Sequence, residues 1–128
     1  MTGHLVCFPF VGDSVGGSQI SAATLINALD KRRYQPLVVL HQRGPLAEYL
    51  TQRKISFETL PLAKFVGTGR NAFSQLGNLT AAAPVLWRFL RRHEILIVHT
   101  QDGRMNQTWG LPARLCGAGF VWHQRSKY

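Results

Sequence analysis

Apolar residues in this chain fall into short continuous segments that alternate with longer stretches of helical period. The short segments are rich in Val, Ile, Leu and Phe, and several are bounded by turn-forming residues, as expected of strands buried on both faces. They predict five β-strands, over residues 4–8, 36–41, 55–60, 94–99 and 120–124. The third strand shows alternation instead of a continuous apolar run, and it is predicted to lie at the outside of the sheet.

The segments between the strands predict four helices, because their apolar residues recur at intervals of three and four. Ser18 is the predicted N-cap of the first helix, and Pro45 suits the first turn of the second. Pro84 is expected to break or kink the third helix. The four helices are predicted over residues 18–29, 45–54, 73–93 and 106–116.

Regular alternation of strand and helix predicts an α/β fold in which a parallel sheet is covered by helices on both faces. Right-handed crossovers then give an open, Rossmann-like sheet with strand order 3-2-1-4-5. In such sheets ligands bind beyond the carboxyl ends of the strands. The loops predicted at that edge are residues 12–17, 41–44, 99–104 and 123–125.

The length of the chain limits the number of domains, and its composition gives it a strong positive charge. The 128 residues suit one domain, and the 15 Lys and Arg against six Asp and Glu give a formal net charge of +9. Such an excess attracts polyanions, phosphorylated substrates or an anionic membrane face. No apolar run is long enough to span a membrane, and the first residues lack the features of a secretory signal, so a cytoplasmic protein is expected.

The stretch "GDSVGGSQ", from Gly12 to Gln19, joins the first strand to the first helix. Glycines there allow the backbone to approach an anion, and the helix start adds a favourable partial charge. The spacing is neither the G-x-G-x-x-G of dinucleotide folds nor a P-loop, which needs Gly-Lys-Ser/Thr. An esterase nucleophile at Ser14 would require a histidine oriented by an acid, and no suitable pair follows. An anion-binding loop and a tight turn that binds nothing both remain open.

A second loop, "HTQDGRMN" from His99 to Asn106, concentrates polar side chains directly after the fourth strand. Imidazole, amide, carboxylate and guanidinium groups in this mix suit the hydrogen bonding of sugar hydroxyls and phosphates. The alternative is that Asp102 and Asn106 only cap the next helix.

The glycine pair in "GGSQISAATLINAL", together with "VHTQDGR" after a buried strand and a fifth strand that runs into His123, resembles the N-terminal domain of GT-B glycosyltransferases of family 4. The resemblance covers nearly the whole chain as a single domain, residues 1–128. It implies a retaining enzyme that uses a nucleotide-sugar donor and needs no metal or other cofactor. The C-terminal donor domain of that family, with its E-x7-E motif, is absent from this chain, so the fragment alone is expected to be inactive.

The resemblance also assigns roles to single residues. Gly16 and Gly17 match the loop that approaches the phosphate of the donor. His99 and Asp102 match the catalytic cluster, although Gln101 stands where many members carry a second histidine, so that a base must be sought in Asp102, in His99 or in the substrate. The residues that match the acceptor side are Gln101, Arg104, His123, Arg125 and Arg43.

The partners that follow are a nucleotide-sugar donor and a glycan or lipid-linked acceptor. The basic stretch at residues 87–92 makes an anionic membrane surface a further candidate, with the protein then peripheral on the inner face of the membrane. The competing interpretation is a Rossmann-like module that binds polyanions, either nucleic acid or a nucleotide cofactor, without catalysis. Nucleic acid is disfavoured because no recognised nucleic-acid-binding motif is present.

Overall fold

The computed structural model describes residues 4–62 and 72–122. It confirms the α/β fold, with five parallel strands in one sheet of order β3-β2-β1-β4-β5. The strands are β1 (His4–Phe10), β2 (Tyr34–Leu40), β3 (Phe57–Thr59), β4 (Ile95–Thr100) and β5 (Gly119–Trp122).

The four helices are those that the apolar periods predict, although their ends differ by a few residues. Helix α4 begins three residues earlier than predicted, because Asp102 caps it by accepting a hydrogen bond from the Met105 backbone N–H at 2.9 Å. The helices are α1 (Gly17–Ala28), α2 (Pro45–Gln52), α3 (Ala72–His93) and α4 (Gly103–Leu115). Among the residues that the structure describes, no helix is both long and apolar enough to cross a membrane.

The core has two layers, one on each face of the sheet. Successive residues of β1 alternate between them: Phe8 and Phe10 pack with α1 and α2, whereas Cys7 packs with α3 and α4. Both faces are therefore covered, which explains why the central strands carry continuous apolar runs. Burial raises the pKa of the Cys7 thiol, so this cysteine is an inert core residue.

A β-bulge interrupts the pairing of β1 with β4. Leu5 pairs with Ile95 but Val6 pairs with Ile97, so Leu96 is an extra residue without a partner on β1. Leu96 is accordingly exposed, and the prediction of an uninterrupted buried strand is wrong at this position. Beyond the bulge, the side chains of β4 keep the same faces as their β1 partners.

Helix α3 does not end at Pro84, so the expected break is absent. Pro84 lies on the exposed side of the helix, where water can solvate the carbonyl that loses its hydrogen bond. The opposite side buries Leu86, Phe89 and Leu90 against the sheet and α4. The arginines of the last turns stay on the solvent side, where the Arg91 guanidinium lies 5.2 Å from the centre of the Trp87 ring.

A glycine contact joins the loop after β1 to the loop after β2. Gly12 has φ of +99°, and a Cβ atom at this position would lie 2.3 Å from the carbonyl oxygen of Gln42. A Cβ on Gly44 would in turn lie 2.8 Å from the Gly12 oxygen. Neither site has room for a side chain, so these two glycines hold the loops together.

His41 lies in the core although the sequence places it among the polar residues of the sheet edge. It is 4% exposed; its Nδ1 lies 2.9 Å from the Leu60 carbonyl oxygen, and its Nε2 accepts a hydrogen bond from the Trp109 indole at 3.0 Å. The neutral ring satisfies both contacts, whereas the protonated ring would direct an N–H at the indole N–H. Burial lowers the pKa of His41 further.

This lowered pKa predicts that the fold loses stability in mild acid. The unfolded chain takes up a proton at His41 near the ordinary value of 6.5, but the folded chain resists it until lower pH. The contribution of His41 is therefore complete above about pH 6.5 and falls as the pH drops through the lowered value. We expect urea unfolding to show a smaller loss of stability between pH 7.5 and 5.5 in His41→Gln than in the wild type. Equal losses would contradict this assignment, and His93→Gln is the control for removing a half-buried histidine at the surface.

The glycine contact predicts that Gly12→Ala is severely destabilising. The strained φ alone costs about 1–3 kcal/mol, and the clash with Gln42 adds to it. Gly16→Ala is the matched control, because φ there is −131° and the new Cβ meets only the Gln19 side chain at 3.4 Å, for a cost below about 1 kcal/mol. Gly77→Ala, in open space on α3, should stabilise the protein by about 0.5–1 kcal/mol. Equal effects of the first two substitutions on urea midpoints would refute the assignment.

Candidate functional site

Polar residues that follow β1, β2 and β4 meet at the carboxyl edge of the sheet, where parallel α/β folds bind their ligands. β1 lies between the other two strands, and its loop is hydrogen-bonded to the next one by the Gln42 N–H and the Val11 carbonyl at 2.8 Å. The loop after β4 approaches the β1 loop from the other side through Arg104. The three loops therefore form one continuous surface.

Helix α1 begins one residue before the predicted start, with Gly16 and not Ser18 as its N-cap. Its first hydrogen bond joins the Ile20 N–H to the Gly16 carbonyl at 3.0 Å, and the Gln19 side-chain oxygen accepts the Gly16 N–H at 2.9 Å. The first turn contains no acidic residue, and the N-cap glycine has no side chain to cap it. The positive end of this helix is thus exposed at the glycine pair and is not neutralised by a local carboxylate.

Asp13 and Arg104 form a two-pronged ion pair between the β1 loop and the first turn of α4. The Arg104 nitrogens donate to the two Asp13 oxygens at 2.8 and 3.1 Å, across 91 residues of sequence. The hydrogen bond from Arg104 holds the pKa of Asp13 below its ordinary value, and the same contact raises the pKa of Arg104. Both side chains remain partly exposed, so the pair lies at the surface of the site.

The loop after β4 brings His99, Gln101 and Asp102 together at one end of the strand. The Gln101 side-chain nitrogen lies 2.5 Å from His99 Nδ1, and the His99 ring stacks at a tilt on Phe8 with centroids 5.3 Å apart. Asp102 is occupied as the cap of α4. Three buried side-chain oxygens in this segment have no hydrogen-bond partner in the part of the chain described: Thr100 Oγ1, Gln101 Oε1 and Asn106 Oδ1.

The remaining predicted site residues are more dispersed. Asp102 and Arg104 line an open depression of about 530 Å³ together with Trp122, whereas Arg43 lines a separate one of about 900 Å³ along α2. His123 and Arg125 lie outside the described residues. Sequence reasoning missed the ion pair of Asp13, since no local pattern signals a contact over so long a separation.

In residues 4–62 and 72–122, His, Cys, Asp and Glu side chains do not form a group of three that could hold a metal ion. The acids nearest the candidate site, Asp13 and Asp102, are engaged with Arg104 and with the start of α4.

No protein-family model matches the sequence, and no curated protein matches it either. Solved structures do match in fold. MurG of Acinetobacter baumannii superimposes with a TM-score of 0.70 at 16% identity, over 98% of this chain and 37% of its own length. Anabaena HepE in complex with UDP gives 0.64 at 16% identity, over 94% of this chain and 29% of its own. A UDP-N-acetylglucosamine 2-epimerase gives 0.64 at 14% identity, over 94% and 33%.

A glycosyltransferase from Rickettsia africae also superimposes, with a TM-score of 0.61 at 16% identity, over 94% of this chain and 29% of its own length. The chain spans about a third of the length of each, so it corresponds to one part of a larger protein in every case. At such identities the likeness concerns the fold alone. The chain has a Rossmann-like α/β fold that is also present in part of each of these structures.

Proposed function

We propose that the chain is the acceptor-side domain of a retaining GT-B glycosyltransferase of family 4. The whole enzyme moves a sugar from a nucleotide-sugar donor to a glycan or lipid-linked acceptor, and a second domain supplies most of the donor site. The proposal rests first on the fold, since one neighbour carries UDP in its crystal structure. It rests further on the match of "GGSQISAATLINAL" and "VHTQDGR" to that family.

The proposal depends above all on the N-terminus of α1, where no acidic side chain neutralises the helix dipole. α4 has the Asp102 carboxylate as its cap, and α2 has Glu48 in its first turn, but α1 has neither. An unneutralised helix start behind two exposed glycines favours an incoming phosphate by about 0.3–1 kcal/mol, and by more when partly buried. In this assignment the donor phosphate approaches Gly16 and Gly17, and the Gln19 side chain gives up the Gly16 N–H to it.

The acceptor occupies the adjoining edge of the sheet. His99 and Asp102 lie at the end of β4 on this edge, and Arg104 presents a guanidinium that is paired with Asp13. Gln101 supports this cluster through its contact with His99, and Arg43 reaches an anionic acceptor only from the neighbouring depression. His123 and Arg125, which follow β5 in the sequence, are the remaining residues of the proposed acceptor side. The reaction needs no metal, and the enzyme works in the cytoplasm.

The loop assignment predicts that Gly17→Val abolishes sugar transfer by the longest polypeptide that the gene encodes. The added β-branched side chain blocks the approach of the phosphate, while the exposed position leaves the fold intact. Transfer from a panel of radiolabelled UDP-, GDP- and dTDP-sugars measures the effect, and the product anomer read by NMR tests retention. Gly77→Val adds the same side chain at an open position on α3 and should keep full activity. Normal transfer by Gly17→Val would exclude the loop assignment.

A polyanion-binding module without catalysis is the alternative, and the net charge of +9 is the observation that favours it. Non-specific binding of this kind falls steeply with salt, because each phosphate contact releases counterions. Binding to duplex DNA that weakens in this way, with no response to any nucleotide sugar, would support the module. Binding of a nucleotide sugar that persists at 0.5 M salt would support the enzyme.

We also propose that α3 touches an anionic membrane when the acceptor is lipid-linked. Its solvent side exposes Phe73, Leu76 and Trp87, beside basic residues. Apolar and basic side chains in this combination bind at lipid headgroups.

The membrane proposal predicts that vesicles containing 30% phosphatidylglycerol sediment the protein and that phosphatidylcholine vesicles do not. The double substitution Arg88→Glu/Arg92→Glu should abolish sedimentation, because each basic residue near the membrane surface contributes about 1 kcal/mol to the free energy of binding. Arg32→Glu/Arg33→Glu removes the same charge beyond α1 and should leave binding mostly intact. Equal losses in both variants would show that net charge alone, and not α3, attracts the membrane.

A further inference from the structure

Gln101 is a buried residue whose amide is directed at a histidine of the candidate site. It is 3% exposed, and its side-chain nitrogen lies 2.5 Å from His99 Nδ1. An amide nitrogen is only a donor, so Nδ1 of His99 must accept. In a neutral imidazole one ring nitrogen accepts and the other carries the proton. With the amide in this orientation, the proton of neutral His99 lies on Nε2.

Two further observations, one on the His99 ring and one on the amide oxygen, favour this role of Gln101 over a role in stabilising the fold. The Phe8 ring, itself 1% exposed, lies against the His99 ring, so the imidazole is held from two sides. The other end of the amide, Gln101 Oε1, is buried without a partner among residues 4–62 and 72–122. A buried polar atom without a hydrogen bond destabilises the folded protein, and functional sites commonly retain such atoms.

We propose that Gln101 is a positioning residue that fixes His99 as a hydrogen-bond donor at Nε2 and so prevents it from acting as a general base. His99 then binds an oxygen atom of the ligand, either a sugar hydroxyl or a phosphate oxygen. A base at Nε2 would need the proton on Nδ1, where the amide N–H of Gln101 opposes it. The binding of a sugar or phosphate oxygen by His99 rests on the proposed function, whereas the position of the proton on the His99 ring does not.

This assignment narrows the chemistry of the proposed reaction. The candidates for the base are Asp102, His99 and the substrate itself, and the Gln101 contact removes His99 from them. In a retaining transfer the acceptor hydroxyl must still lose its proton as its oxygen bonds to the sugar carbon and the bond to the diphosphate breaks. That proton then passes to Asp102 or to an oxygen of the departing diphosphate, while His99 binds without accepting it.

The test follows His99 by NMR of the chain labelled with ¹⁵N-histidine, with its signals identified by their loss in His99→Phe. At pH 8 the wild type should show a protonated Nε2 and an unprotonated Nδ1. Gln101→Met removes the donor and should raise the pH midpoint of His99 titration, because the N–H of Gln101 stabilises the neutral ring. Gln101→Glu should raise it again, by about one pH unit or more, because a carboxylate accepts from Nδ1–H.

The direction in which Gln101→Met shifts the pH midpoint of His99 distinguishes the two possible orientations of the amide. If the amide were turned, so that its oxygen faced Nδ1, Gln101→Met would lower the midpoint, and the wild type would carry its proton on Nδ1; either result overturns the proposal. The charged groups on the flanking β1 loop and α4, namely Asp13, Asp102 and Arg104, are the same in all variants. A midpoint that responds as expected in a protein that transfers no sugar would uphold the positioning role and refute only the proposed function.

A thermal melt separates this role from a structural one. Within the described residues, the Gln101 side chain has one hydrogen bond, to His99, and its buried oxygen has no partner. An apolar residue of similar shape should therefore leave the melting temperature unchanged or raise it. A loss of several degrees in Gln101→Met would show that the amide is part of the framework of the fold. The wild-type tautomer remains a sufficient test if that variant does not fold.

Discussion

The contact of Gly12 with the loop after β2 is the constraint on which the site depends. A left-handed backbone and a space too small for a methyl group leave one residue type possible at this point. The contact sets where the chain leaves the sheet after β1, and hence where Asp13 and the start of α1 lie. The exposed pair Gly16 and Gly17 is the more conspicuous in the sequence, but Gly12 and Gly44 fix the positions of the loops beneath it.

Electrostatics then divides the sheet edge into two unlike halves. The start of α1 keeps its partial positive charge, whereas the start of α4 is neutralised by Asp102 and bears a cation, Arg104, whose charge would oppose the helix dipole. Asp13 compensates that cation from across the site. One half of the edge therefore suits a fully charged group such as a diphosphate, and the other suits polar groups that are recognised by geometry.

Period and turn chemistry were sufficient to predict the fold class, the strand order and the number of helices, because each of these depends on local patterns repeated over many residues. They failed where one contact decided the outcome. The apolar run of β4 predicts that Leu96 is buried, but Leu96 is the extra residue of a bulge. The bulge shifts the pairing of β4 with β1, and only this pairing shows that His99 lies on the same face as Phe8. His41 reads as a residue of the sheet edge, and only Trp109, 68 residues away, explains its burial. The site residues themselves came from a resemblance to a family, whereas the contacts that surround them could be found only in the folded chain.

The hydrogen bond between His41 and Trp109 has a mechanical consequence. It joins the end of β2 to the middle of α4 inside the buried core, where a shift of either element would leave two polar groups unpaired. α4 and the strand ends beneath it therefore behave as one rigid body that carries Asp102 and Arg104. The β1 loop is fixed to the same body at Gly12 by its contact with Gln42. Beyond Gly12, its contact with α4 is a solvent-exposed ion pair that water can replace at little cost. Of the two sides that would enclose a ligand, one is anchored and the other can adjust.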